Sequence, residues 1–391
     1  MQQFRHPLLP SSHPSRVRLG SSFGSLMLSL SLLMSFTTSG EAARRRGEEE
    51  VATSQDPGIM NSVQGILGDI NGRLFNLRAG WGEEPQDTIS DSLSGGVDEG
   101  VIDGQGDGPE TPIAKTIPKS RQWEVFSTVN YANVNINGIQ SQAGVNSQTW
   151  APGVGLERHF TRRLTLGFAA NLLESHQTYS NNLGSLSMQG VALSAYGSYV
   201  RRSFWTDLLY SWGTFDLDTK RNPVGFPQAL GNFNAMTNAL QLNSGWSFRV
   251  PAWKLVHGPL VGLDWLHINT SGYNEAGGGG AALSYASHSV DSLITRVGWS
   301  ASTEFDTSFA KITPQLRLTY ERQNINNNNG VSTSLPVTIT NQSPGQSYMV
   351  AGAGVNFEFT RDFSMLLTYQ GQYLRENMQA HYGTVRFSYK F

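Results

Sequence analysis

Residues 381–391 read HYGTVRFSYKF, and their alternation is the strongest structural signal in the chain. The odd positions from Gly383 to Phe391 hold glycine, valine and aromatic residues, whereas the even positions between them hold threonine, arginine, serine and lysine. A period of two residues is typical of a β-strand, because successive side chains point to opposite faces. One apolar face and one polar face suit a strand between lipid and water.

The same alternation returns along the chain from Trp123 onward. We expect about twelve such strands, each near the ten or so residues that a tilted membrane strand requires. Because unpaired backbone groups in hydrocarbon cost several kcal/mol each, the predicted fold is all-β, a closed antiparallel transmembrane barrel over residues 121–391. The predicted strands begin near Trp123, Thr149, Leu164, Ser187, Phe204, Ala235, Leu255, Ala281, Lys311, Ser347, Phe363 and His381.

The connections between these strands are predicted to alternate in length. Outer-membrane barrels have short periplasmic turns and longer extracellular loops, so the order places both ends of the barrel in the periplasm. The short links are 160–163, 200–203, 250–253, 303–310 and 359–363, and the long ones are 135–148, 175–186, 216–234, 271–280, 324–346 and 374–380.

The two faces of the strands predict which side chains meet lipid. Leu316, Leu318, Phe387 and Tyr389 are expected to face outward. Long polar side chains on the opposite faces suit a wet lumen. The lumen-facing candidates are Glu157, Asp207, Asp264, Arg296, Arg317, Glu321, Arg386 and Lys390.

Residues 1–120 differ in composition from the predicted barrel. Arginines precede an apolar run at 26–34, and small residues follow it, which indicates a secretory signal peptide over residues 1–42. The apolar run is shorter than the ~20 residues that a membrane helix needs. Residues 43–120 read as a linker, and the acidic, glycine-rich part at 82–119 is predicted to be disordered. Within it, Ser90–Leu93 resembles a lipase motif but lacks a folded environment with a base.

The linker contains one candidate helix, at residues 59–77. Apolar residues recur there at steps of three and four, although Gly65, Gly68 and Gly72 each weaken a helix by about 1 kcal/mol. A slim helix inside the barrel lumen explains these glycines. Its charged residues would then need partners in the barrel wall: Asp69, Arg73 and Arg78 would pair with residues such as Glu157, Asp207, Glu321 or Arg317.

Composition excludes several classes of function. The formal net charge is -2, so no concentrated basic surface is available for nucleic acid. The chain has no cysteine and therefore no thiolate nucleophile or cysteine-based zinc site. The pair Asp216 and Asp218 lacks the further oxygens of a calcium loop. We predict no catalytic residue, metal ligand or cofactor, because no Ser, His and Asp spacing stands out around His159, His176, His257, His267, His288 and His381.

Two stretches resemble a known family. Residues 262–299 are similar to the middle of the autotransporter β-domain, and Arg73–Gly80 looks like the helical linker that precedes such barrels. The chain also ends in what looks like the signal by which outer-membrane barrels are recognised for assembly: Val385, Phe387, Tyr389 and Phe391.

The resemblance implies a translocator of type V secretion in the outer membrane of a Gram-negative-type bacterium. Such a barrel anchors or exports an N-terminal segment to the cell surface. Its expected partners are outer-membrane lipid, the barrel assembly machinery and its own N-terminal helix in the lumen, and we expect a monomer. Autotransporters carry a passenger domain between signal and barrel, and here we expect no recognisable passenger, because only about residues 43–57 could lie outside.

Two other functions fit a barrel. A small porin-like or surface-interacting barrel would use its Asn- and Gly-rich loops and have no secretion role. A membrane-embedded hydrolase would use His with Ser or Asp near the barrel rim. Assay of the purified barrel on p-nitrophenyl esters separates the hydrolase from the other two.

Overall fold

The structure is a computed structural model that describes residues 55–79, 122–138, 143–161, 163–327, 331–334, 338–339 and 344–391. The predicted signal peptide, the acidic linker and the motif at 90–93 lie outside these residues. In the N-terminal helix, side chains are described for residues 59–68 and 70–75.

The N-terminal helix, α1, spans Gln55–Ala79 and so extends beyond the predicted 59–77 at both ends. Its apolar stripe is buried, with Ile59, Val63, Ile66, Ile70 and Leu74 almost fully covered. Among the helices that the structure describes, none combines the length and apolar character needed to cross a bilayer.

Twelve long strands form one closed antiparallel ring, as the alternation predicted. Each strand pairs with its neighbours in sequence, and the first strand pairs with the last over Glu124–Ile136 and Met378–Lys390. The strands are β1 Trp123–Ile136, β2 Val145–His159, β3 Leu164–Tyr179, β4 Gly184–Arg201, β5 Phe204–Arg221, β6 Ala229–Trp246, β7 Leu255–Thr270, β8 His288–Ser302, β9 Lys311–Asn326, β10 Ser347–Glu358, β11 Phe363–Tyr373 and β12 Met378–Lys390.

Shorter elements lie in the connections between these strands. The strand segments are Phe248–Val250, Tyr273–Asn274, Ala276–Gly277, Ser284–Tyr285, Phe305–Asp306, Val331–Ser332 and Thr338–Ile339, and the 3-10 turns are Ser180–Asn182, Pro251–Trp253 and Gly279–Ala281.

The predicted alternation of loop lengths is only partly right. Long connections at 271–287 and 327–346 lie at one end, as expected, but 180–183 and 374–377 at the same end are tight turns. At the opposite end, 247–254 and 303–310 are as long as some of the predicted extracellular loops. The strands continue into segments that were expected to be loops, so polar sequence at a strand end did not mark the end of pairing.

The outer face changes chemistry along a strand, as β5 illustrates. Leu208 and Tyr210 are exposed in the first half of the strand, and Asp216 and Asp218 are exposed on the same face in the second half. Phe215 and the inward residues near it are buried. The first half therefore fits a lipid belt, and the second half has the apolar-in, polar-out pattern of a sheet in water.

The ring closes beside the last residue, where the backbone N–H of Phe391 donates to the carbonyl of Trp123 at 2.9 Å. We expect Phe391→Asp to reduce membrane-inserted protein, because it places a charge on an exposed apolar position and alters the predicted assembly signal. The heat-modifiable fraction in isolated outer membranes measures this. Leu374→Asp, a change at a more exposed leucine in the turn 374–377, is the control and should insert normally. Wild-type levels of inserted Phe391→Asp would show that Phe391 is not part of an assembly signal.

Candidate functional site

The barrel lumen is the candidate site, and α1 occupies it. The helix contacts β1–β5, β7, β9, β11 and β12, which surround it on all sides of the closed ring. The sixth strand also reaches it, since Asn243 Nδ2 donates to Asn71 Oδ1 at 3.0 Å. An apolar helix stripe with polar residues at intervals fits a lumen whose wall is similarly mixed.

Two polar contacts define the direction of α1 in the lumen. Near its start, Ser62 Oγ lies 3.0 Å from Thr149 Oγ1 and 3.5 Å from Ser175 Oγ, in the halves of β2 and β3 next to their connections with 137–144 and 180–183. Near its end, Arg73 contacts the first residues of β1 and the last residues of β2. The helix therefore ends at the side where both β1 begins and β12 ends.

Arg73 is the centre of a buried ionic network. Its Nη2 donates to Glu157 Oε2 at 2.9 Å and also to Glu124 Oε1, and its Nε donates to Glu157 Oε1 at 3.1 Å. Arg386 Nη1 lies 3.5 Å from Glu157 Oε1, and the Tyr196 hydroxyl donates to the same oxygen at 2.7 Å. Two guanidinium groups thus balance two carboxylates where charges without partners would be costly.

The same network includes the candidate metal cluster among the described residues. Glu124, Glu157 and His159 place one ligand atom each within 4.8 Å of one another. The Arg73 guanidinium already bonds both carboxylates, however, and a cation there would be repelled by it. The arrangement suits an anchor for α1 better than a metal site.

The other lumen candidates fall into a second group. Arg296 pairs with Asp264, lies 3.4 Å from Glu321 and donates to Asn243 at 3.1 Å, so it connects to α1 through Asn71. Asp207 is buried and accepts from Ser198 Oγ at 2.7 Å. Arg317 and Lys390 are half-buried, and Lys390 pairs in register with Glu124.

A cluster near the opposite end of the lumen was not predicted. Arg375 donates to Gln372 at 3.0 Å and to Gln323 at 3.1 Å, and its guanidinium lies 4.4 Å from the ring centre of Tyr348. Gln323 in turn approaches Met60 of α1. Arg375 lies in the turn 374–377, where alternation gives no signal, so sequence reasoning could not find it.

An outer cap, residues 271–287 with 331–334, covers this end of the barrel. Arg221 forms two bonds with Glu275, at 2.9 and 2.5 Å, and donates to the Ala281 carbonyl at 2.6 Å. The Tyr273 ring stacks on Phe233 at 4.5 Å and on Tyr285 at 4.6 Å. Backbone bonds from Ala286 to Ser332 and from Ser334 to Ser284 join the two loops. The cap thus has its own core and a buried ion pair.

Four of the described histidines each have a separate polar partner. His176 Nδ1 lies 3.2 Å from Ser187 Oγ, but both lie outside the lumen wall and His176 is exposed. A serine nucleophile needs a base in an enclosed, packed site. The other described pairs are His159 with Thr165, His267 with Asp291 and His381 with Tyr369.

Many solved structures are similar to this fold, among them three autotransporter barrels. The translocator domain of the autotransporter NalP from Neisseria meningitidis is 17 % identical, with a TM-score of 0.57 over 69 % of this chain and 88 % of that chain. The beta domain of the Bordetella autotransporter BrkA is 14 % identical, with a TM-score of 0.53 over 69 % and 100 %. The transport unit of AIDA-I from Escherichia coli is 12 % identical, with a TM-score of 0.52 over 71 % and 94 %.

The sequence itself matches the family described as "Autotransporter beta-domain" over residues 125–370. No curated protein matches the chain. The family match covers more than half of the chain, and the three similar structures have the same barrel fold as this chain. Barrels of this family lie in the outer membrane of Gram-negative bacteria and serve secretion and transport. The protein therefore belongs to the autotransporter beta-domain family and is an outer-membrane translocator barrel.

Proposed function

We propose that this barrel carries the chain segment N-terminal to α1 to the cell surface and anchors it there, with α1 held in the lumen as the barrel's own occupant. The direction of α1 supports the proposal. Its Ser62 end lies toward the connections 137–144 and 180–183, and its Arg73 end lies where β1 begins.

The orientation of the barrel in the membrane determines which side of the membrane the start of α1 faces. Both ends of an outer-membrane barrel and its shorter turns face the periplasm. The longest connections here, 271–287 and 327–346, lie at the opposite end, the one toward which Ser62 points. In this proposal the Gln55 end of α1 therefore faces the extracellular side.

The remaining partner assignments belong to the same proposal. Outer-membrane lipid covers the apolar belt, and the assembly machinery reads the C-terminal strand. We propose a monomer. We also propose that it has no catalytic activity, because α1 occupies the lumen and the His176–Ser187 pair lies on an open surface. A porin-like role is less favoured, since α1, the Arg375 cluster and the outer cap all occupy the path that a solute would take.

Cysteine labelling tests the direction of α1, and the absence of native cysteine gives a clean background. We expect Gln55→Cys to react with a membrane-impermeant maleimide on intact cells. Thr161→Cys, in the short turn between β2 and β3, is the control and should react only after the outer membrane is permeabilised. Labelling of Gln55→Cys only in permeabilised cells would reverse the direction of α1 and contradict the proposal.

A further inference from the structure

A cavity lies in the lumen between one face of α1 and the wall formed by β9–β12. Gly65, Gly68 and Gly72 form its helix side, and Gly352 and Gly354 line part of the wall. Phe75 and Tyr382 contribute ring surface.

The helix glycines are not explained by tight packing, contrary to the sequence-based expectation that a narrow lumen requires them. A Cβ atom added at Gly68 would meet no atom within 4 Å. At Gly65 and Gly72 the nearest atoms would lie 3.5 and 3.4 Å away, which is ordinary contact. Each glycine weakens the helix by about 1 kcal/mol. The absence of their three side chains leaves open space between the helix and the barrel wall.

A second, independent observation comes from Gln315 on β9, whose side chain lines the same cavity. The residue is 4 % exposed, and neither its Nε2 nor its Oε1 has a hydrogen-bond partner among the described residues. A buried polar group without a partner costs about 1–3 kcal/mol. The carboxamide therefore has one donor group and one acceptor group available to a molecule in the cavity.

We propose that this cavity binds a small molecule with an apolar body and one amide group. The ring surface of Phe75 and Tyr382 covers the apolar body. An amide presents an acceptor and a donor side by side, so it pairs with both Gln315 groups at once, whereas a carboxylate offers acceptors alone and leaves Gln315 Oε1 unpaired. The inference is independent of the surface anchoring proposed above.

Saturation-transfer NMR on the full chain in detergent micelles tests the proposal, with benzamide as the probe. We expect saturable binding of benzamide and weaker binding of benzoate. Gln315→Leu removes the amide partner and should weaken benzamide binding by about tenfold or more. Gly68→Leu fills the cavity while improving helix propensity, so loss of binding there does not reflect loss of the helix. Leu318→Ala, at an outward position of the same strand that does not line the cavity, is the matched control and should bind normally.

Three results would overturn the proposal: no saturable benzamide signal, equal binding by wild type and Gln315→Leu, or benzoate binding at least as tight as benzamide binding. The cysteine-labelling result is unaffected by any of these, because it depends on the direction of α1 alone. The two proposals therefore fail separately.

Discussion

Arg73→Ala is expected to destabilise the helix-filled barrel by about 3–5 kcal/mol, the range for breaking a buried ion pair by removing one partner. The change leaves Glu124 and Glu157 buried with Arg386 as the nearest remaining guanidinium, 3.5 Å from Glu157. The temperature of heat modification on unboiled gels measures the loss.

Two matched variants make this prediction specific. Asn71→Ala removes one neutral hydrogen bond two residues away on the same helix, and about 1 kcal/mol is expected from it. Arg73→Met combined with Glu124→Gln removes one charge of each sign, leaves Glu157 beside Arg386, and should recover much of the stability. An Arg73→Ala effect no larger than that of Asn71→Ala would show that the network does not anchor the helix.

Removing α1 altogether should open the pore. A chain that begins at Ser120 retains all twelve strands but lacks the helix that contacts β1–β5, β7, β9, β11 and β12. A helix with its side chains is about 10–12 Å across, so its loss leaves a continuous water path through much of the lumen. We expect the single-channel conductance in planar bilayers to rise several-fold above that of a chain that begins at Ala43.

The outer cap gives this experiment an internal control. If the cap still closes the extracellular end, Arg221→Ala added to the shortened chain should raise conductance further, because it removes the ion pair with Glu275. Equal conductance of the two chains, with fast proteolysis of residues 59–77 in the longer one, would show that α1 does not occupy the lumen in the membrane.

The strand ends show what alternation in the sequence can predict. The six strands that start at the periplasmic side begin where expected, at Trp123, Leu164, Phe204, Leu255, Lys311 and Phe363. At the other side only β10 does so, since β2, β4, β6 and β12 begin earlier and β8 begins later than predicted. On the periplasmic side the lipid belt ends abruptly at short turns. On the extracellular side the ladder continues through polar residues, which carry no alternating signal of lipid contact.

The site was less predictable than the fold because it depends on distant pairing. A polar partner for Arg73 was expected, and Glu157 was among the residues named for it. Glu124, the first inward position after Trp123, was not named, although the alternation that starts at Trp123 could have indicated it. Arg221 pairs with Glu275 in a loop, and Arg375 itself lies in a turn, so no periodic pattern relates either residue to its partners.

The pairing of β1 with β12 constrains the order of events in biogenesis. These strands are the most widely separated of the twelve, so their contact has the largest loop-closure entropy and cannot form before the last residues leave the ribosome. Until then both edges present unpaired backbone groups that could recruit other chains. A helix enclosed by the finished ring is therefore threaded through it, with covalent chain leading away at both ends. Any bulky folded module attached upstream would make that threading irreversible, and the ring would then hold the helix mechanically as well as through its covalent connection to β1.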